Sequence, residues 1–409
     1  MFKPTVLAAS LLSAIALLAS TSSRADALHD GNVKATEIIF AARMPPGPSY
    51  RATAISQTAV YEAVNAITGR YGSGGTKPRT SADASIDAAI AAAHRGVLSK
   101  LMPAQQPAID AAYQAALGMV GDGPAKTNGI AIGEASAAAV LAARANDGAA
   151  APESYRPVTT AGAYVPTLVP LASTWPQRQA WALKRGDQFR PGPPPGLGSA
   201  RWTNDFNESK ALGSKNSSKR TAEQTDVARF WEATSPVVYF PVVRSVTESA
   251  GREVTRNARV LALAAQAMDD ALIAVFDAKY TYNFWRPTTA IRNGDIDGND
   301  ATEREASWLP LVDTPMHPEY PCAHCILAAS VGAVLQADIG TGPVPPLQTT
   351  SPNLPGAVRR WSRIDDFVAE VANARVWGGM HYRNSTEVGQ AMGRKIGEYT
   401  VHNALKPLP

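Results

Sequence analysis

Apolar residues recur every three to four positions over long stretches of this chain, and strict strand-type alternation is scarce. The stretch 53–67 (TAISQTAVYEAVNAI) stops just before Gly69; 82–101, 104–117 and 126–144 repeat the pattern, each flanked by Pro, Gly or Asp. This spacing predicts four helices, with Ser81 as N-cap of the second and Ala145-Asn146-Asp147-Gly148 as the stop of the fourth. Helical pattern returns at 200–212 and again at 221–232, where Ser217 or Ser218 is available as N-cap. The stretch 243–283 predicts one long helix or a broken pair, and 322–337, 363–376 and 387–404 complete the set. No internal repeat of fixed period emerges. The expected fold class is all-α, built from helical bundles.

One segment breaks this pattern. Pro152, Pro157, Pro166, Pro170, Pro176 and the run PGPPP at 191–195 exclude long helices between 149 and 199. Tyr155, Tyr164, Trp175 and Trp181 lie in the same segment, and disordered linkers rarely carry such aromatics. An ordered connection across the surface is therefore expected rather than a flexible linker. The divisions are 28–150, a helical half; 151–199, the Pro-rich connection; and 200–409, a second helical half. Residues 28–409 are expected to form one integrated domain.

The N-terminus changes the expected compartment. Lys3 precedes an apolar run at 6–20, and Ala25-Asp26-Ala27 follows as a small-residue cleavage site. That order is the pattern of a secretory signal peptide, residues 1–27, and the run is short for a membrane span. The mature part is expected to be exported, periplasmic or secreted, with no stable membrane span. A formal net charge of +4 without a dense basic stripe argues against a nucleic-acid partner. With only two cysteines, Cys322 and Cys325, the chain is not a disulfide scaffold, and the pair acts locally.

Three stretches concentrate chemistry. In the first, Lys279 and Arg286 stand seven residues apart, nearly two turns of a helix, with Tyr280, Tyr282, Phe284 and Trp285 between them. Lys and Arg on one face usually mean a solvated helix, but two cations in an aromatic wall call for an anion. In the second, Pro321 precedes Cys322-Ala323-His324-Cys325 and an apolar run. This puts His324 in the first turn of a helix, where free backbone N–H groups gather. In the third, Arg375 offers a fork suited to an oxyanion, and Gly378 and Gly379 break the helix and let backbone approach a bound group. His381 follows as a metal ligand, a nucleophile or a general base.

Taken in order, Lys-x6-Arg-Pro, Pro-small-small-His and Arg-x5-His resemble the signature of the vanadium-dependent haloperoxidases and type 2 phosphatidic acid phosphatases. The exported haloperoxidase-related branch is the most similar, on YTYNFWRPTTAIR (280–292), HPEYPCAHC (317–325), NESKALGSKNSSKRTAEQTDVARFW (207–231) and YEAVNAI (61–67). The resemblance covers most of the mature chain. It implies that Lys279, Arg286 and Arg375 contact the oxygens of the anion and that the Ala323 amide meets it. It implies His381 as apical vanadium ligand or as nucleophile on phosphorus, and His324 as general acid or base. Cys322 stands where the family has a serine that bonds the oxyanion, Ala374 where a serine precedes the arginine, and Ser385 where an aspartate is common four residues past the histidine. Nothing obvious then orients His381 from position 385, which weakens a phosphohistidine route more than a vanadate route.

Two activities follow from the resemblance. One is a vanadate-dependent haloperoxidase, oxidising halide with hydrogen peroxide for transfer to an organic acceptor. The other is an acid phosphatase that hydrolyses phosphate esters through a phosphohistidine and needs no cofactor. Phosphate binding without turnover is a third reading of the same pocket. A thiol–disulfide oxidoreductase would use Cys322 and Cys325 but lacks the preceding strand of a thioredoxin-like fold. A disulfide between them at the rim of the pocket is an open alternative, and a zinc site would need a fourth ligand. His317 could line the entrance or cap Glu319. Trp285 and Phe284 could shape a halide or substrate path or simply pack the core.

Overall fold

The structure, a computed structural model, describes residues 26–72 and 83–408. Ser81 and all of the expected signal peptide except Asp26 and Ala27 lie outside them.

The first half holds α1 (Ala27–Ala41), α2 (Pro46–Thr68), α3 (Ile86–Leu101), α4 (Gln106–Gly118) and α5 (Pro124–Ala143). The second holds α6 (Ala200–Gly213), α7 (Ala222–Phe230), α8 (Pro236–Thr247), α9 (Val254–Tyr282), α10 (Pro287–Arg292), α11 (Ala323–Ile339), α12 (Ile364–Trp377) and α13 (Arg383–Asn403). Among the described residues the strands are β1 (Leu347–Thr350) and β2 (Val358–Trp361), antiparallel with Leu347 opposite Trp361. Thr349 hooks this hairpin to α8 by donating to the Val238 carbonyl at 2.8 Å. The all-α expectation holds. No helix among the described residues is long and apolar enough to cross a membrane.

Caps explain where several helices differ from expectation. Ser85, not Ser81, caps α3, accepting from the Ala88 amide. Thr221 caps α7 in a reciprocal pair with Gln224. Ser217 and Ser218 sit too far upstream to reach the α7 amides, because a capping oxygen must meet the second or third N–H of its own helix. The stretch 243–283 is a broken pair. Glu253 restarts the chain as α9 by accepting from the Thr255 and Arg256 amides. The chain enters α8 through Pro236 at the first turn, where a missing N–H costs nothing.

Helix α9 is buried on almost every side, against α2 on one flank and α11, α8 and α13 on the others. Its Ala, Leu and Val positions join the main core, which links both halves. Packing of α11 on α13 is close because glycines of α13 recur every fourth residue. A Cβ on Gly393 would stand 2.3 Å from the Ile326 carbonyl oxygen. The start of α11 is thereby set against α13, with Gly389 packed on Cys322 and Cys325.

The Pro-rich connection is tied to α9 by polar groups. Asp270 accepts from the amides of Trp181, Ala182 and Leu183 at 2.7, 2.8 and 3.0 Å. Tyr282 donates to the Pro191 carbonyl, and Tyr155 to Asn283 Oδ1.

Candidate active site

Four helix ends meet at one end of the second bundle. Lys279 sits in the last turn of α9, Arg286 caps α10, His324 is in the first turn of α11, and Arg375 is in the last turn of α12. His381 lies in the turn between α12 and α13. Their relative exposures are 0, 1, 3, 1 and 1 %, so the cations are out of water. The seven-residue interval between Lys279 and Arg286 is not two turns of one helix. Asn283 turns left-handed at the end of α9 (φ 48°), and Pro287 opens α10. The two cations converge because the chain breaks between them.

The loop 317–319 gathers both. Lys279 Nζ donates to the carbonyls of Pro318 (2.9 Å) and Glu319 (2.7 Å). Arg286 Nε donates to the His317 carbonyl at 3.0 Å, and its Nη1 to the Met380 carbonyl at 2.8 Å. The same Nη1 lies 3.3 Å from Nε2 of His381. Arg375 donates through Nη1 to the Trp231 carbonyl at 2.6 Å and through Nη2 to Met380 Sδ at 2.8 Å, while its Nε is buried with no protein partner. The His381 amide donates to the Arg375 carbonyl at 3.3 Å.

Burial and mutual repulsion set the electrostatics. Lys279 is held well below its ordinary pKa, first by loss of water and then by Arg286. Burial brings Arg286 down to about 10 and Arg375 to about 9. His324 and His381 are pushed well below the usual histidine value, by burial first and then by the neighbouring arginines. All three histidines at the site, His317 included, are thereby kept neutral.

The residue that sequence reasoning missed is Glu319. Its carboxylate is fully buried and lies 2.6 Å from Nδ1 of His381. It also accepts from the Tyr382 amide at 3.1 Å. Burial raises its pKa to about 7 against the pull of Lys279 and Arg286. His381 is therefore not without an acidic partner, as position 385 alone suggested: the carboxylate arrives from another loop. Thr234 was missed as well. Its hydroxyl is 3.3 Å from Nε2 of His324.

Cys322 does not serve as an oxyanion donor. It is joined to Cys325 in a disulfide, its sulfur caps α11 by accepting from the Cys325 amide, and its own amide donates to the Ser385 carbonyl. A disulfide sulfur has no proton to give. Ala323 begins α11, so its amide belongs to the unpaired first turn. Gly379 does turn the chain after α12, with φ 79°, but its close approach is to Gly213 at the end of α6. Phe284 and Trp285 pack into an aromatic cluster with Trp202, Phe206, Trp308, Tyr320 and Tyr382. There the Phe284 carbonyl accepts from the Glu319 amide at 2.8 Å. His317, with Ala323, His324 and His381, lines a cavity of about 290 Å³ whose other wall includes Trp175 and Phe276.

Three buried basic side chains, two histidines and a helix N-terminus therefore converge at one end of a helical bundle. Residues 259–408 match the family model described as the VCPO second helical-bundle domain. In overall structure the chain is similar to a bacterial vanadium-dependent iodoperoxidase: TM-score 0.80, 24 % identity, covering 93 % of this chain and 97 % of that one. It is also similar to a bacterial vanadium-dependent chloroperoxidase in its holo form (TM-score 0.69, 17 % identity, 87 % and 92 % covered). For the apo form the values are 0.70, 17 %, 86 % and 91 %. No curated protein matches the chain in sequence.

Proposed function

We propose that the chain is a vanadate-dependent haloperoxidase-type enzyme that oxidises halide with hydrogen peroxide. The observation that carries this reading is the charge balance of the site. Lys279, Arg286 and Arg375 are buried together and bond backbone carbonyls, histidine nitrogens and a thioether sulfur rather than a carboxylate, while the nearby Glu319 carboxylate is bonded to His381. An uncompensated buried cation is costly, so the residues present suit a multiply charged anion, and the free Nε of Arg375 suits one of its oxygens. Likeness to iodo- and chloroperoxidases supports vanadate over phosphate.

Vanadate, when bound, would supply oxygen transfer from peroxide to halide without a change of metal oxidation state. Lys279, Arg286 and Arg375 would offset its charge through charge-assisted hydrogen bonds. His381 would bond the central atom through Nε2. His324, neutral and held by Thr234, would move the proton. The cavity beside these histidines would admit peroxide, halide and an organic acceptor.

The second reading, an acid phosphatase with His381 as nucleophile, gains from Glu319. A nucleophilic histidine benefits from a carboxylate on its other nitrogen, and here one lies at 2.6 Å. A paired assay on the mature protein, stripped of phosphate and metal, separates the two. Bromide or iodide oxidation that depends on added vanadate supports the first reading. Release from a phosphate monoester, inhibited by vanadate, replaces it with the second.

A further inference from the structure

We propose that Glu319 is the positioning residue of this site: its carboxylate fixes the His381 tautomer and aims the Nε2 lone pair at the bound oxyanion. The proposal rests on the oxyanion-site reading above and adds to it the source of the histidine's orientation.

Two contacts assign the protons independently. An arginine can only donate, so the 3.3 Å approach of Arg286 Nη1 makes Nε2 of His381 an acceptor. In a neutral imidazole the other nitrogen, Nδ1, then carries the hydrogen, and it faces Glu319 Oε1 at 2.6 Å. Both contacts select the same tautomer, with the lone pair on the side of the cations.

Glu319 is itself held from three directions. Its amide donates to the Phe284 carbonyl at 2.8 Å, and its carbonyl accepts from Lys279 at 2.7 Å. Its carboxylate accepts from the Tyr382 amide at 3.1 Å. Ser385 reaches Nδ1 of His381 only at 3.4 Å, long for a hydroxyl, so the carboxylate is the principal partner. Backbone contacts to Phe284 and Lys279 make the stretch that supplies the cations also the platform for the orienting carboxylate.

The test starts with the unsubstituted protein and needs no turnover. Nitrogen-15 NMR of the imidazoles, with His381 assigned by its loss in His381→Ala, is expected to show a protonated Nδ1 and a bare Nε2. In Glu319→Gln the amide can donate as well as accept, so a mixed or reversed tautomer is expected. Orthovanadate and inorganic phosphate should then bind roughly 10–100-fold more weakly, the usual scale for losing such a supporting partner. A protonated Nε2 in the unsubstituted protein overturns the proposal. So does a folded Glu319→Gln variant that keeps both tautomer and affinity, which would leave Glu319 with charge compensation alone. If the unsubstituted protein binds neither anion, the oxyanion reading fails, whereas the tautomer result still decides what Glu319 does to His381.

Discussion

Gly213 and Gly379 meet backbone to backbone, and a Cβ on Gly379 would stand 2.5 Å from the Gly213 carbonyl oxygen and 2.9 Å from Cβ of Pro310. The turn that carries His381 is therefore wedged against the end of α6. Gly379 also has φ 79°, a conformation that strains any residue with a Cβ. Gly379→Ala should cost on the order of 1–3 kcal/mol from the backbone alone, with the overlap adding to it. His381 lies two residues on, so orthovanadate binding should weaken together with the melting temperature. Unchanged values in both would mean that this turn does not set the position of His381.

The Pro-rich connection is pinned by Arg178, which bonds Asp269 at 2.7 Å and Asp147 at 3.0 Å with all three side chains buried. Arg178→Ala leaves two carboxylates out of water without their shared cation. Breaking such a cluster from one side costs about 3–5 kcal/mol. Chemical denaturation should register that loss, and limited proteolysis should begin to cut within 151–199. A variant as stable and as resistant as the parent would show that the aromatic contacts of Trp175 and Trp181 hold the segment by themselves.

Helices that present an apolar stripe and end at Pro or Gly could be read from the residues alone, which covers most of α2 to α7 and α11 to α13. Helix α10 is too short to show a period, and α8 carries Pro236 and Pro241, which read as breakers although one opens the helix and the other is tolerated inside it. The hairpin of β1 and β2 has four-residue strands, below the length at which alternation separates strand from loop. Within the site, Lys279, Arg286, His324, Arg375 and His381 could be picked out because each has an unusual neighbour in sequence. Glu319 could not, because its partner His381 is 62 residues away and only the folding of the 317–321 loop under α9 joins them. Cys322 left two states open: a helix N-terminus suits a thiolate as well as a disulfide, and only the fold shows the sulfur turned onto Cys325.

Arg375 uses Nη1 on the Trp231 carbonyl and leaves Nε without a protein partner, so its fork is only partly engaged by the chain. Arg375→Lys keeps the charge and removes the fork. A lost hydrogen bond to a charged group is worth about 1.5–3 kcal/mol, so orthovanadate should bind roughly ten- to a hundredfold more weakly. Calorimetric titration reads this directly, with circular dichroism as the check on folding. Wild-type affinity in a folded Arg375→Lys protein would remove Arg375 from the anion's contacts.

His94 lies far from these residues in sequence and makes a prediction about acid stability. It is buried in α3, bonded through Nδ1 to Ser56 at 2.9 Å, and burial lowers its pKa to about 4. In the unfolded chain it would titrate near the ordinary value of about 6.5. Between these values the unfolded state takes up a proton that the folded state refuses, so stability falls as pH drops from about 6.5 towards 4 and is unaffected above that window. The difference of about 2.5 units corresponds to about 3 kcal/mol. His94→Gln cannot take up this proton, so its stability curve should be flatter than the parent's across the window, whatever its level near neutrality. Parallel curves for the two proteins, measured by urea unfolding at stepped pH, would mean that His94 is protonated as readily folded as unfolded and that its burial carries no acid sensitivity.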